Sequence, residues 1–370
     1  MSLAVSPDAP RAAVPRAPVS IAVGPWRTGP VQEVGEFAQA ALSVTLNDGH
    51  QLSFTMPGRS PAARLSDGLV TDVWLYLDDQ LYGRFRMLPL SQSWGASGED
   101  DVAVTAVSYK RLLAWRYLHA PAPTFTQIDQ GDIVWGLVAH AQAQAGGSLG
   151  LTKGVTVTGV KRDRTDYKVG DNVLDLAMNL SGVEGGCWWD VDQAGVLTAR
   201  MYSAFPAHAT PLVLGANALT LDRVPSPTFA NGAMASGSDE QTVPVWVQAS
   251  GVGTDPRGRW EVTTSSPETI VQATLTEQAR GLLDRSVRPP SVWTAGVEPY
   301  RWRTDSAYRP GDQVRVIIPP DTADVIGPPA GSITAQVTEV AASFDYHGGL
   351  VVTVTATEGL AAVPTLESTP

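Results

Sequence analysis

Apolar and polar positions alternate with a period of two through residues 31–118, which predicts a block of strands. Leu42 to Leu46 alternates and runs into Asn47-Asp48-Gly49, a sequence suited to a hairpin turn. Gln51 to Met56 alternates again and stops at Pro57-Gly58. Val70 to Leu77 forms a third strand, ending at Asp78-Asp79. Leu81 to Ser108 reads as a long strand bent near its middle, a polar turn and an alternating strand. The block closes on Tyr109 to Leu118, expected as a short helix packed on the sheet.

The period changes over residues 119–215. Asp129 is placed to cap a helix reaching about Ala145, with Ile133, Leu137, Val138 and Ala141 on one face and Gly146-Gly147 ending it. Val173, Leu176, Ala177 and Leu180 recur at helical spacing and predict a second helix. Two strands follow, Cys187 to Asp192 and Val196 to Met201, joined at Gln193-Ala194-Gly195. This middle part is therefore mixed α and β.

Residues 216–360 return to strands: Val243 to Ala249, Arg259 to Thr263, Ser291 to Val297 and Gln313 to Ile318. A helix from about Pro267 to Leu283 interrupts them, with Ser266 as its cap. Ser332 to Glu358 then reads as two long strands joined near Tyr346-His347-Gly348-Gly349.

The two β blocks share an order of elements. Leu69 to Leu77 corresponds to Gln313 to Ile318, Leu81 to Trp94 to Ser332 to Asp345, and Gly98 to Ser108 to Gly348 to Thr357. Long strands bent at small or proline residues suit small barrels, which need corners. The expected fold is mainly β with an α+β insertion, two related small β-barrel domains flanking a mixed α/β middle region. The divisions are 1–30, 31–118, 119–215, 216–360 and a 361–370 tail. Segment 1–30 has prolines every few residues and no basic start before an apolar core. It is expected as a mobile or extended arm rather than a signal peptide or helix.

Composition narrows the function. A net charge of −11 argues against a nucleic-acid binder, whose footprint would be a basic stripe. No apolar run is long enough to cross a membrane, so no membrane integration is expected. The single cysteine, Cys187, lies in Gly185-Gly186-Cys187-Trp188-Trp189 and reads as a buried structural thiol. None of the five histidines lies within four residues of another, and no nucleophile elbow, zinc helix or phosphate loop occurs. No catalytic residue, metal or cofactor is assigned. The acidic stretches Gly98 to Asp101 and Asp190 to Asp192 read as hairpin turns.

The eleven tryptophans divide by setting. Trp74, Trp246 and Trp293 lie in alternating strands, where core packing is expected. Trp26 and Trp302 are candidates for exposed contact with another protein. Candidate barrel residues, in the core or between subunits, are Trp74, Tyr76, Phe85, Trp94, Val314, Val316 and Phe344.

The layout resembles a known family. The residues that carry the resemblance are Gly35-Glu-Phe37, Leu42 through Pro57, Val73 through Arg86, Tyr109 through Arg116, Gly131-Asp-Ile-Val-Trp135, Tyr167 through Ala177 and Tyr308-Arg-Pro-Gly-Asp-Gln-Val314. Their order resembles the minor tail proteins of siphophages that infect Actinobacteria, within the baseplate-hub or tail-tip hub class. The proline-rich beginning departs from that layout.

The resemblance implies a baseplate-hub fold and a structural virion protein at the phage tail tip, assembled in the host cytoplasm. It implies a homotrimer in which two barrels per chain present a pseudo-six-fold ring to the hexameric tail tube and three-fold symmetry to the tip. Implied partners are a distal tail or tail-tube ring protein, other tail-tip or spike proteins, the tape measure protein, and DNA only in transit. The alternatives are a receptor- or cell-wall-carbohydrate-binding tail protein and a peptidoglycan hydrolase. For the last, Ala361 to Pro370 is expected to leave no room for a catalytic module.

Overall fold

The computed structural model describes residues 19–358, except 27, 47, 78, 95–99, 184, 206, 226–228, 238–242, 255, 257, 266–270, 288–290, 298–307, 319–330 and 345–349. The first part of the chain holds β1 (Val19–Pro25), β2 (Gln32–Glu33), β3 (Ala38–Thr45), β4 (Gln51–Pro57), helix α1 (Pro61–Leu65), β5 (Thr71–Leu77), β6 (Gln80–Met87), β7 (Ser91–Trp94) and β8 (Asp100–Val107). The middle holds β9 (Phe125–Asp129), α2 (Gln130–Gln142), β10 (Thr152–Lys153), β11 (Lys161–Arg164), α3 (Val173–Gly182), β12 (Cys187–Val191) and β13 (Val196–Met201). The last part holds β14 (Leu212–Val213), β15 (Ala218–Pro225), β16 (Gly232–Ser236), β17 (Val245–Gln248), β18 (Glu261–Ser265), α4 (Gln272–Val287), β19 (Ser291–Val297), β20 (Gln313–Ile318), β21 (Gly331–Phe344) and β22 (Leu350–Glu358).

The chain is mainly β, and its largest sheet is curled into an open half-barrel of 14 strands. The same five-strand unit occurs twice in it. In the first, β5 pairs with β6, the β6–β7 path with β8, β8 with β4 and β4 with β3. In the second, β20 pairs with β21, β21 with β22, β22 with β19 and β19 with β15. The units differ chiefly in the segment between their first two strands, a short turn in one and the β16–α4 insertion in the other.

Register makes the repeat exact along the main hairpin. Met87 pairs with Ala106 and Trp94 with Asp100; Val337 pairs with Ala356 and Phe344 with Leu350. Residue n of the first hairpin thus matches residue n + 250 of the second. Each also slips by one residue near its middle, at Leu88–Leu90 and at Thr338. The correspondence expected from sequence, Leu81 to Trp94 with Ser332 to Asp345, is therefore one residue out. A pattern of period two fixes faces well, but an added bulge residue is invisible to it.

Other expectations change in detail. The bent strand Leu81 to Trp94 is interrupted and counts as two, β6 and β7, because Pro89 has no N–H for the ladder. Tyr109 to Leu118 contains only a 3₁₀ turn at Arg111–Trp115. The last helix is described from Gln272 to Val287, so its C-terminus lies beyond Leu283; Ser266 and Pro267 are outside the described residues.

The expected N-terminal arm is a structural strand where it is described. β1 pairs with β5 along its whole length and buries Val19, Ile21 and Val23. Those three residues alternate among the prolines. The middle part packs α2 and α3 against the β10–β13–β12 sheet around Ile133, Leu137, Leu180 and Trp189. Asp129 caps α2 by accepting from Gly131 N, and Asn172 caps α3 by accepting from Leu174 N and Asp175 N.

Candidate assembly surface

The two units meet at a seam within the chain. β21 runs past its own unit and pairs antiparallel with β3, from Glu339 opposite Thr45 to Phe344 opposite Ala40. Val340, Ala342 and Phe344 bury one face together with Ala40, Leu42 and Val44, so one apolar core crosses the seam. Phe344 meets Phe37 edge to face, with centroids 5.9 Å apart. Leu46, just past β3, ties three parts together: its N–H donates to Thr338 O and its carbonyl accepts from Trp188 Nε1, each at 2.8 Å. Trp188 packs on Phe205 at 5.0 Å between centroids, and Gly311 closes over that ring.

Eight strands follow one another as β15–β19–β22–β21–β3–β4–β8–β7, four from each unit. Their buried residues face the core. The residues that alternate with these form the opposite surface, which is rich in hydroxyls and also carries the exposed Val224 and Val351. Ser43, Ser53 and Thr105 present hydroxyls in the first unit, and Ser343, Thr353 and Thr294 do so in the second. Asp101, Asp222 and Glu339 add acid. Among the described residues, none of these alternating positions is Lys or Arg. Both end strands of the run have a single neighbour among the described strands: β7 pairs with β8 and β15 with β19.

The residues singled out from sequence fall in different places. Trp74, Phe85, Val314, Val316 and Phe344 are buried within one chain, which makes them core. Tyr76 is half-buried, and Trp94 ends β7. Trp26 is half-buried rather than exposed: its ring packs on the core of the middle part, with the Arg86 guanidinium 4.3 Å above it. Trp302 lies outside the described residues. Trp246, expected in the core, is 50% exposed, because Val245 and Val247 occupy the face of its sheet that α4 covers.

Two buried charged groups hold the first unit in place. Asp72 is completely buried and accepts from Arg84 Nε at 2.9 Å, Arg86 Nε at 2.7 Å and Tyr109 Oη at 2.8 Å. Burial, then the Asp72 charge, pushes the Tyr109 hydroxyl up to about 12. Lys110, also buried, donates to Trp189 O at 2.8 Å, and burial pulls its ammonium down. Beside it, Asp190 meets His50 Nε2 at 3.2 Å. Burial would raise the Asp190 carboxyl, but His50 and Lys110 outweigh it and hold it below the ordinary carboxylate range. Burial, with Asp129 nearby, pushes the Cys187 thiol up to about 12, the setting of an unreactive thiol.

No family description and no curated protein matches the sequence. Solved structures do match. The 43 kDa tail protein of prophage MuSo2 from Shewanella oneidensis is similar with a TM-score of 0.65 at 12% identity, over 93% of this chain and 98% of that one. The tail protein from Neisseria meningitidis MC58 gives 0.63 at 12% identity, over 92% and 96%. Prophage tail protein gp18 from Listeria monocytogenes EGD-e gives 0.57 at 13% identity, over 93% and 96%.

The chain has a phage tail-protein fold. At such low identity the likeness is one of architecture, and it spans nearly the full length of both partners in each comparison. In this tail-protein fold the seam and the Ser/Thr surface are features of overall topology, which explains why short motifs marked them so weakly. The seam joins strands 296 positions apart at Ser43 and Glu339, beyond the reach of any local signal. The β15 edge was missed for a related reason: a bulge between Ala218 and Thr220 breaks its alternation, and Leu219 and Val224 are exposed although Ala218 and Leu221 pack on the core.

Proposed function

We propose that this chain is the tail-tip hub protein of a long-tailed phage, of the actinobacterial siphophage type that its layout resembles. Three copies close a ring that joins the hexameric tail tube to the three-fold tip and lets DNA pass. In this reading residues 31–118 and 216–360 are the ring units, with β1 added to the first. Residues 119–215 face neighbouring tail-tip proteins.

The observation that carries the reading is the eight-strand run, whose alternating surface positions hold no Lys or Arg among the described residues. Each unit contributes four strands to it, so three copies supply six equivalent sets. A closed point-group ring accommodates six such sets with only three chains. Proteins hold DNA mainly through Lys and Arg on phosphates. A wall of hydroxyls and scattered carboxylates gives phosphate no cation to rest on, and DNA slides along it.

Electron-microscopy class averages with native mass test this reading. A trimer with six lobes and an open channel is expected. A chain that stays monomeric both alone and with a tail-tube ring protein overturns it.

One observation favours a second reading for part of the chain. Trp246 and Trp260 are 50% and 56% exposed on the inserted β16–β18 module, and exposed tryptophan suits sugar or protein contact. Retention on host cell-wall polysaccharide that is lost in Trp246→Ala and Trp260→Ala would assign receptor binding to this module.

A further inference from the structure

Among the described strands, the chain contains one copy of a junction and, unpaired with each other, the two halves of another. Inside the chain, the late half of β21 pairs with β3. The repeat supplies both strands again. β7 stands in the first unit where the late half of β21 stands in the second. β15 stands in the second where β3 stands in the first. Both have a free edge among the described strands. β15 also carries Leu219 at 68% exposure and Val224 at 58%, apolar residues on an edge that natural sheets normally cover or blunt.

We infer that β7 of one copy pairs with β15 of the next copy, in the register of the internal seam. This rests on the ring reading above, because a head-to-tail contact closes only when its rotation closes.

The register follows from equivalences already given by the pairing. Trp94 matches Phe344 in the hairpins. Asp222 matches Ala41, because Asp222 pairs with Thr294, Ala41 with Ser53, and Thr294 and Ser53 oppose the equivalent Thr355 and Thr105. The seam sets Phe344 opposite Ala40, Ser343 opposite Ala41, Ala342 opposite Leu42 and Ala341 opposite Ser43. Transferred, these give Trp94 opposite Leu221, Ser93 opposite Asp222, Gln92 opposite Arg223 and Ser91 opposite Val224. The next pair is Leu90 opposite Pro225. Its equivalent in the seam, Val44, has the parity of Leu46, whose N–H bonds to Thr338 O across the seam. Pro225 has no N–H to offer, so the new ladder ends there. Ser93 and Asp222 continue the polar wall from one copy to the next.

Ser93 and Asp222 fall at a non-hydrogen-bonded pair, where Cα atoms lie about 4.5 Å apart. That separation lies within the range a disulfide spans. The native Cys187 is buried and stays out of the reaction. The full-length S93C/D222C protein, with folding checked by circular dichroism, is oxidised and run on a non-reducing gel beside the native mass of the unoxidised sample. Covalent dimer and trimer are expected to become the main species, and to be absent from S93C, D222C and the out-of-register pair S91C/T220C. S91C/V224C, the neighbouring wall pair, gives the same result if the first pair fails to fold. A trimeric ring that cross-links through neither in-register pair overturns this interface and leaves the ring reading standing. A protein without any ring overturns both.

Discussion

Ser43 donates its hydroxyl to Glu339 Oε1 at 3.0 Å across the seam between the two β units. The residues belong to different copies of the repeat, yet they sit side by side on the polar surface of one sheet. Beneath them Leu42, Val44, Val340 and Phe344 fill a shared core. A half-buried hydroxyl-to-carboxylate bond of this kind contributes about 1.5–3 kcal/mol, less than the burial of the several apolar side chains below it, so the seam is held mainly by its apolar face.

Phe344→Ala is therefore expected to lower stability by about 3–5 kcal/mol through lost burial and a cavity. Ser43→Ala should cost less, below about 3 kcal/mol. Urea denaturation of both variants checks the ranking. The reverse order would show that polar bonding holds the seam.

Among the described residues, Asp72 is the only acid bonded to Arg84 and Arg86, and Arg86 also reaches Leu69 O. Asp72→Asn keeps the shape and leaves the buried guanidinium of Arg86 without its counter-charge. A loss of about 3–5 kcal/mol is expected, the usual cost of breaking a buried pair. A midpoint in urea equal to the parent's would show that the pair adds nothing net.

Acid should unlock the contact between the first unit and the middle part. The Asp190 carboxyl is depressed in the folded chain. Its contribution is in place above the unfolded carboxylate value of about 3.9. It is lost as pH falls through the lower folded value. Asp190→Asn should thus be less stable than the parent at pH 7, and the deficit should shrink toward the lowest pH at which the parent stays folded. A constant deficit across that range would assign the effect to packing alone.

Gly311 has φ of +101°, and a Cβ there would lie 2.0 Å from a carbon of the Phe205 ring. Gly311→Ala meets backbone strain of about 1–3 kcal/mol before the clash is counted. A clear fall in Tm is expected. Gly35→Ala is the control, since nothing lies within 4 Å of its added carbon. Equal melting of the two variants would mean that the Gly311 turn shifts freely.

Cys187 should resist thiol reagents in the native protein and react fully in denaturant. It is buried on β12 with its thiol pushed up to about 12. Rapid labelling of the folded chain would show that β12 opens.

Much of the fold was legible because it depends on near neighbours. The α2 cap was visible in Asp129 and the α3 face in Val173, Ala177 and Leu180. The main hairpin at 331–358 showed in its alternation, and so did its likeness to the earlier hairpin. The buried Val19, Ile21 and Val23 were also written in alternation, but the surrounding prolines concealed it. Trp246 failed as a core residue because alternation states that two faces differ without stating which one α4 will cover.

The sequence by itself determined most of the strands (though not β1, β15 or β16), where most of them turn, and that one strand order occurs twice, because backbone preference and side-chain period act over a few residues. Only the tertiary structure decided that β21 leaves its own unit to pair with β3, that the hairpins match without the one-residue error, and that β7 and β15 each have a single neighbour among the described strands. Those choices rest on contacts between residues hundreds of positions apart. Their energy comes from burying shared apolar surface once the units meet, and no local pattern encodes that meeting.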